Sequence, residues 1–372
     1  MKHMIFKTGV LFGVKAIEAL PLQCINYGKN FLIVSTSRTL QENGIIKDII
    51  KAFKKENMNI STAIDISPDP KSCEINESVS VLKKEKIDAV IGIGGGSSID
   101  SAKAIALLLG EKFYDIEAYM NTGKNPQNAL PIIAVPTTSG TGSEVSAGAI
   151  ITRSRDELKM GVRGNVLIPK LAILDPNLTL TCSKKLTRDA GFDIFSHAFE
   201  SYVSRNSNPI SEEMSMNVID IVVDSLPRAI NDLKDITPRS KLMFASLKAG
   251  INLINVGTCL PHRIQYTFGV PVKITHAEGI AIIYRHWLKH LNQVKKIKKL
   301  SKVLNCNETN EDVLNSIQNF IDKIGFKRSY SYLKGFPDTE MFMQRLHGNL
   351  KNDPIYNKKI VKKIYSELLN NL

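Results

Sequence analysis

Residues 89–109 read AVIGIGGGSSIDSAKAIALLL: an apolar run, three consecutive glycines, and then a helical pattern. An apolar run bounded by glycines reads as a buried strand, and the spacing beyond it predicts a helix over 98–109. Gly94, Gly95 and Gly96 lack side chains, so their backbone N–H groups can approach a ligand closely. The helix opening near Ser97 or Ser98 aims its positive dipole end at the same point, which is the physics of a diphosphate cradle. The order is neither G-x-G-x-x-G nor a P-loop ending in GK[ST], so neither motif is assigned. A tight turn alone would also use such glycines. The next loop argues for more.

That loop, AVPTTSGTGSEVS at 134–146, again follows an apolar strand and is crowded with hydroxyls and glycines. Thr137, Thr138, Ser139 and Thr141 suit phosphate, ribose or carboxamide groups, and loops at the carboxyl ends of neighbouring parallel strands are where open α/β sheets bind ligands. Further strands are expected at 31–35 (FLIVS), 87–93 (IDAVIGI), 130–135 (LPIIAV) and 171–175 (LAILD), with helical patterns near 40–55 and 74–85. This alternation predicts a mostly parallel sheet covered by helices. From about residue 183 the pattern is helical throughout. The expectation is an α/β dinucleotide-binding domain over 1–178 followed by an all-helical metal-binding and substrate domain over 179–372.

Composition narrows the function. Hydrophobic residues make up 43% and charged residues 23% of 372, ordinary for a globular chain of two domains. The N-terminus lacks an apolar core followed by a small-residue cleavage site, and nowhere do about 18 apolar residues run together. Neither an export signal nor a membrane span is expected. Five scattered cysteines without a CxxC pair indicate no disulfide framework and no cysteine zinc site, which fits the reducing cytoplasm. The net charge of +13 raises the possibility of a nucleic-acid partner. Its densest part, KKIKK at 295–299, has no interleaved aromatics, and Val294, Ile297 and Leu300 read as a buried stripe beneath solvated lysines. No nucleic acid is expected.

In the second half, GFDIFSHAFESY at 191–202 sets Asp193 and His197 four residues apart, among Phe192, Phe195 and Phe199 at helical spacing. His262 and His276 follow. One carboxylate and three imidazoles suit Fe²⁺ or Zn²⁺ with an open position for substrate. Spacing alone leaves a set of hydrogen-bonded core histidines equally open.

GGGSSIDSAK, PTTSGTGSEVS, AILDPNLT and GFDIFSHAFESYVS, in this order, resemble the successive signatures of the iron-containing (group III) alcohol dehydrogenases, over about residues 5–290. The resemblance implies the dehydroquinate synthase-like architecture, with cofactor and metal in a cleft between two domains, and a homodimer. It implies metal binding by Asp193, His197, His262 and His276, the last two 14 positions apart as in the family. It places Gly94, Gly95, Gly96, Ser97 and Asp100 on the dinucleotide segment, Thr137, Thr138 and Thr141 on the second cofactor loop, and Lys159 in a cofactor-side network. Many members read HxxxH where residues 262–266 read HRIQY, so Tyr266 stands where a proton-relay histidine is common. Arg153 replaces an aspartate, and THAEG replaces the commoner PHG turn. Where the family's NAD users commonly carry an aspartate near the adenosine ribose, this chain reads Thr36-Ser37-Arg38, which favours NADPH over NADH.

The expected function is a metal-dependent NAD(P)-linked alcohol dehydrogenase or aldehyde reductase acting on a small aldehyde or primary alcohol. A basic wall including Arg263 or Arg285 would suit an anionic tail such as a phosphonate or carboxylate. The alternative is a non-redox, dehydroquinate-synthase-like lyase using the same NAD and metal site.

Overall fold

The computed structural model describes residues 4–36, 38–63, 66–291, 294–327 and 334–370. The chain divides into two compact units, Ile5–Thr181, and Cys182–Leu372 with Met1–Met4.

The first unit contains strands β1 (Gly9–Phe12), β2 (Asn30–Val34), β3 (Asn59–Ala63), β4 (Ala89–Gly94), β5 (Ile132–Pro136), β6 (Gly148–Arg153), β7 (Leu158–Arg163) and β8 (Leu171–Leu174). Six of them form one parallel sheet in the order β1-β8-β5-β4-β2-β3, and β6 and β7 pair as a separate antiparallel hairpin. The four strands expected from apolar runs are β2, β4, β5 and β8, which occupy the middle of the sheet and are almost wholly buried. The edge strands β1 and β3 are partly exposed and lack a continuous apolar run, which is why sequence reading passed over them. The hairpin was also missed, because ITRSRDELKMG alternates too weakly to announce two strands.

Strand residues alternate between two cores. Leu32, Val34, Val90 and Ile132 pack with Ile75, Val79 and Ile105, while Phe31, Ile33, Ile91 and Val135 pack with Ile46, Ile49 and Phe53. Both faces are therefore covered, and ligand groups can enter only at strand ends. In register, Gly94 of β4 lies beside Pro136 of β5, so the glycine turn and the threonine loop leave the sheet side by side.

Among the described residues of the second unit there are helices and no strands, the longer helices being Lys184–Val203, Pro209–Asn231, Ile236–Asn255, Leu260–Phe268, His276–His290, Asn310–Lys323 and Lys358–Asn370. Phe192, Phe195 and Phe199 are fully buried, as their spacing predicts, and Phe199 meets Trp287 edge-on at 5.9 Å. Residues 295–300 form a 3₁₀ turn with Ile297 and Leu300 buried, and Lys296 pairs with Glu212 at 3.0 Å. Among the described residues no single helix is long and apolar enough to cross a membrane.

Phe199→Ala removes a side chain packed on three sides by rings and leaves a cavity. Chemical denaturation of the helical unit is expected to show a loss of about 3–5 kcal/mol, and a loss below about 1 kcal/mol would mean the site can collapse.

Candidate functional site

The glycine turn is built by packing. Gly94 has φ +143°, and a Cβ there would stand 2.2 Å from Ser98 Oγ. A Cβ on Gly96 would stand 2.6 Å from Thr141 Cγ2. Gly95 is the N-cap of the helix Gly96–Glu111 and supplies no side-chain cap; the Ser98 and Ile99 N–H groups donate to Gly95 O at 3.0 and 3.3 Å, which leaves the N–H groups of Gly96 and Ser97 to an external acceptor. Thr137 N donates to Gly94 O at 2.8 Å, locking the two loops together. The Thr36 N–H donates to Ser98 Oγ at 3.0 Å, bringing the end of β2 to the same turn, and Arg38 is exposed at the start of the helix Arg38–Glu42. Ser37 lies outside the described residues.

Asp100, on the helix Gly96–Glu111, is tied within the protein. Its carboxylate accepts from Ser143 Oγ and, at 2.9 Å, from the Ile150 N–H, tying the helix to the threonine loop and to β6. Beside it Lys103, fully buried, donates to Ser143 Oγ, Ser146 O and Gly148 O at 2.9–3.1 Å. Burial pushes the Lys103 pKa down to about 8, against the upward pull of Asp100 and Glu144. Lys159, on β7, pairs with Asp69 at 2.6 Å, and the Asp69 N–H donates to Ser97 Oγ at 3.2 Å. This links Lys159 to the glycine turn through a residue no sequence motif singled out. Arg153 pairs with Asp156 in the turn of the hairpin, its Nε donating at 2.7 Å.

In the helical unit, Ser183 caps the helix that carries Asp193 and His197, accepting from Leu186 N at 3.2 Å. THAEG is a capping box: Thr275 and Glu278 close the first turn of the helix whose first residue is His276. The helix of His262 is capped from outside. Glu200 accepts from the Cys259 N–H at 2.7 Å, and Asp353 accepts from the Leu260 N–H at 2.9 Å. Burial pushes the Asp353 pKa up to about 6.

These helices bring the four expected ligands together. The Nε2 atoms of His197, His262 and His276 stand 3.7, 3.5 and 3.7 Å from Asp193 Oδ1. One ligand atom each of Asp193, His262 and His276 lies within 4.8 Å of the other two. Asp193 Oδ1 and His262 Nε2 are buried without a hydrogen-bond partner. Burial would raise the Asp193 pKa, but the three imidazoles outweigh it and hold the carboxyl far below its usual range. Burial likewise opposes charge on His262, yet Glu200 and Asp193 carry its pKa up to about 9. The set thus favours positive charge at one buried point, and its oxygen and nitrogen donors fit a divalent cation.

The outer nitrogens are also held. His262 Nδ1 lies 2.7 Å from Glu200 Oε1, and His276 Nδ1 lies 2.7 Å from Gln265 Oε1. Both acceptors place the ring proton on Nδ1 and turn the Nε2 lone pair inward. Gly279 and Gly269 make room for Gln265, since a Cβ on either would stand 2.7 and 2.1 Å from it. Sequence reasoning missed Glu200, Gln265 and Asp353, although Glu200 lies about two helical turns beyond Asp193 on the same face, in the motif quoted above. Tyr266 stacks on His276, ring centroids 5.8 Å apart at 18°, and also lies 6.4 Å from His347 at 27°. Arg285 pairs with Asp322 at 2.7 Å, which commits it away from any substrate role. Among the described residues Arg263 has no such partner.

Residues 7–176 match the family described as iron-containing alcohol dehydrogenase, and residues 187–334 match the C-terminal region of the Fe-containing alcohol dehydrogenase family. The chain is 32% identical over 289 residues to a probable NADH-dependent butanol dehydrogenase of Bacillus subtilis, covering 76% of this chain and 74% of the relative. It is 30% identical to an NAD-dependent methanol dehydrogenase of Bacillus methanolicus, over 74% of this chain and 72% of the relative. The iron-containing alcohol dehydrogenase of Thermotoga maritima superposes with a TM-score of 0.87 at 27% identity, covering 100% of both chains.

Gln265→Leu leaves the helix intact but releases His276 Nδ1. The expected result is a fall in divalent-metal affinity of about 10- to 100-fold, measured by chelator competition. Unchanged affinity would show that Gln265 only packs.

Proposed function

Because the chain belongs to the iron-containing alcohol dehydrogenase family, we propose that it is a metal-dependent, NAD(P)-linked enzyme working as an aldehyde reductase on a small aldehyde, or in reverse on its primary alcohol. The observation that carries this reading is the buried, donorless Asp193 Oδ1 facing three imidazole Nε2 atoms at 3.5–3.7 Å. A divalent cation held by Asp193, His197, His262 and His276, Fe²⁺ or Zn²⁺, supplies Lewis-acid polarisation of the substrate oxygen when bound. A nicotinamide cofactor supplies the hydride.

The chain's own groups do the positioning. Gly94, Gly95, Gly96 and Ser97 offer N–H groups and a helix dipole to the diphosphate. Thr137, Thr138 and Thr141 frame the same cradle, with Lys159 at its rim through Asp69. Asp100 acts one step back, fixing the threonine loop through Ser143. Glu200 and Gln265 orient the histidines. Tyr266, beside His276, is the protic side chain placed to hand a proton to the substrate oxygen, with His347 near its ring. His276 has a side chain 28% exposed where the other three ligands are nearly sealed, so substrate approaches on the His276 and Tyr266 side.

For the cofactor, Arg38 supports use of NADPH: it is exposed just beyond β2, where a 2′-phosphate would meet a guanidinium and no acid. The two relatives named above are described as NADH- and NAD-dependent. An aldehyde panel with NADH and with NADPH on Fe²⁺- and Zn²⁺-loaded protein decides among these, and the lyase alternative is the outcome with no net cofactor turnover.

His276→Ala is expected to abolish both tightly bound metal and aldehyde reduction while the circular dichroism spectrum is kept; retention of both would break the assignment. Arg38→Ala is expected to raise KM for NADPH about 10-fold, leaving NADH unaffected. A wild type that strongly prefers NADH would place Arg38 outside the cofactor site.

A further inference from the structure

Arg263 follows the candidate ligand His262 and is only 8% exposed. Its Nε is buried without an acceptor, and among the described residues its guanidinium makes no hydrogen bond or ion pair. Other arginines of this unit are provided for: Arg239 donates to Leu233 O at 2.7 Å, and Arg285 pairs with Asp322 at 2.7 Å. A guanidinium in a residue only 8% exposed, with its Nε buried and no counter-charge beside it, leaves its two outer nitrogens to groups arriving from solvent, and an anion satisfies them best.

The surroundings say where that anion sits. Arg263 Cζ lies over the Tyr266 ring, 5.9 Å from its centroid, and the same ring stacks at 5.8 Å on His276. The guanidinium and a candidate metal ligand therefore both pack against the same aromatic ring. On its other side the chain withdraws its own bulk: Gly348 has φ +91°, and a Cβ there would stand 3.2 Å from Arg263 Nη1. No carboxylate of the described residues pairs with Arg263 from any packed element.

We infer that Arg263 is a specificity-determining residue that receives the anionic tail of the substrate, a short aldehyde bearing a carboxylate, sulfonate or phosphonate. This rests on the reading that the substrate oxygen is bound at Asp193 and the three histidines. The planar guanidinium meets two oxygens of such a tail at once, through charge-assisted hydrogen bonds in a partly desolvated setting. The tail takes no part in the chemistry. Hydride adds to the carbonyl carbon, the π pair of the C=O bond moves to oxygen, and that oxygen takes one proton to give the alcohol; the nicotinamide is oxidised and Arg263 gives up nothing.

The test compares kcat/KM for phosphonoacetaldehyde, succinic semialdehyde and neutral butanal in the metal-loaded wild type, Arg263→Ala and Arg263→Lys. The expected result is a wild-type preference for an anionic aldehyde over butanal of about 100-fold, lost in Arg263→Ala and partly restored in Arg263→Lys. The two anionic substrates distinguish a tetrahedral from a planar tail. A second readout needs no turnover: ethylphosphonate and propionate are added separately, and at least one is expected to raise the melting temperature of the wild type but not of Arg263→Ala. Equal losses on charged and neutral aldehydes, a wild type that prefers butanal, or no anion-dependent shift would overturn the inference. If the wild type reduces no aldehyde, the dehydrogenase reading itself fails, and the melting shift still decides whether Arg263 binds an anion.

Discussion

A carboxylate oxygen buried without a donor must meet a cation or remain a large free-energy cost, and the helical unit is arranged around one such atom, Asp193 Oδ1. Three imidazole nitrogens converge on it from three helices, Lys184–Val203, Leu260–Phe268 and His276–His290. Each helix is fixed by groups that serve the convergence. Glu200 joins the first to the second by accepting from Cys259 N and contacting His262 Nδ1. Gln265 joins the second to the third. Asp353, from the C-terminal part of the chain, accepts from both Leu260 N and the Trp287 indole N–H at 3.0 Å, holding the second and third helices to one another. Neither Glu200 nor Asp353 could be deleted as a mere core polar group, because each satisfies a backbone donor at the start of the second helix, and Glu200 holds His262 as well.

The sheet unit follows the same economy of means with different parts. Its cradle exists because β4 and β5 end side by side and because Gly94 and Gly96 cannot carry a Cβ without striking Ser98 and Thr141. The buried Lys103 and the carboxylate of Asp100 then hold the threonine loop against the helix that the glycines open. Polar groups buried in this way fix one geometry, since any other leaves a charge unmatched.

Sequence reading recovered what is local and periodic. The central strands were legible as continuous apolar runs, the glycine turn as a strand-to-helix junction, and the phenylalanine stripe as helical spacing. The edge strands were not, because Asn59–Ala63 and Gly9–Phe12 are half-exposed and carry no such signal. The four candidate ligands were named through family resemblance, whereas spacing could not distinguish a metal set from core histidines: convergence on one oxygen is a property of three helices together. The supports Gln265 and Asp353 carry no local signature at all. Nor could the sequence choose between Arg263 and Arg285, whose difference is the presence of Asp322 beside one of them. The contacts of Asp100 with Ser143 and Ile150 are equally silent in the sequence, because they join segments more than forty residues apart.

The most direct test of the central claim is anomalous diffraction from crystals soaked in Zn²⁺ and, under anaerobic conditions, Fe²⁺. The account predicts one strong peak at about 2.0–2.2 Å from an Asp193 oxygen and the Nε2 atoms of the histidines, with Glu200 and Gln265 still holding the Nδ1 atoms of His262 and His276. Crystals that show no peak at Asp193, or in which the histidines turn outward to bind metal at the surface, would contradict it.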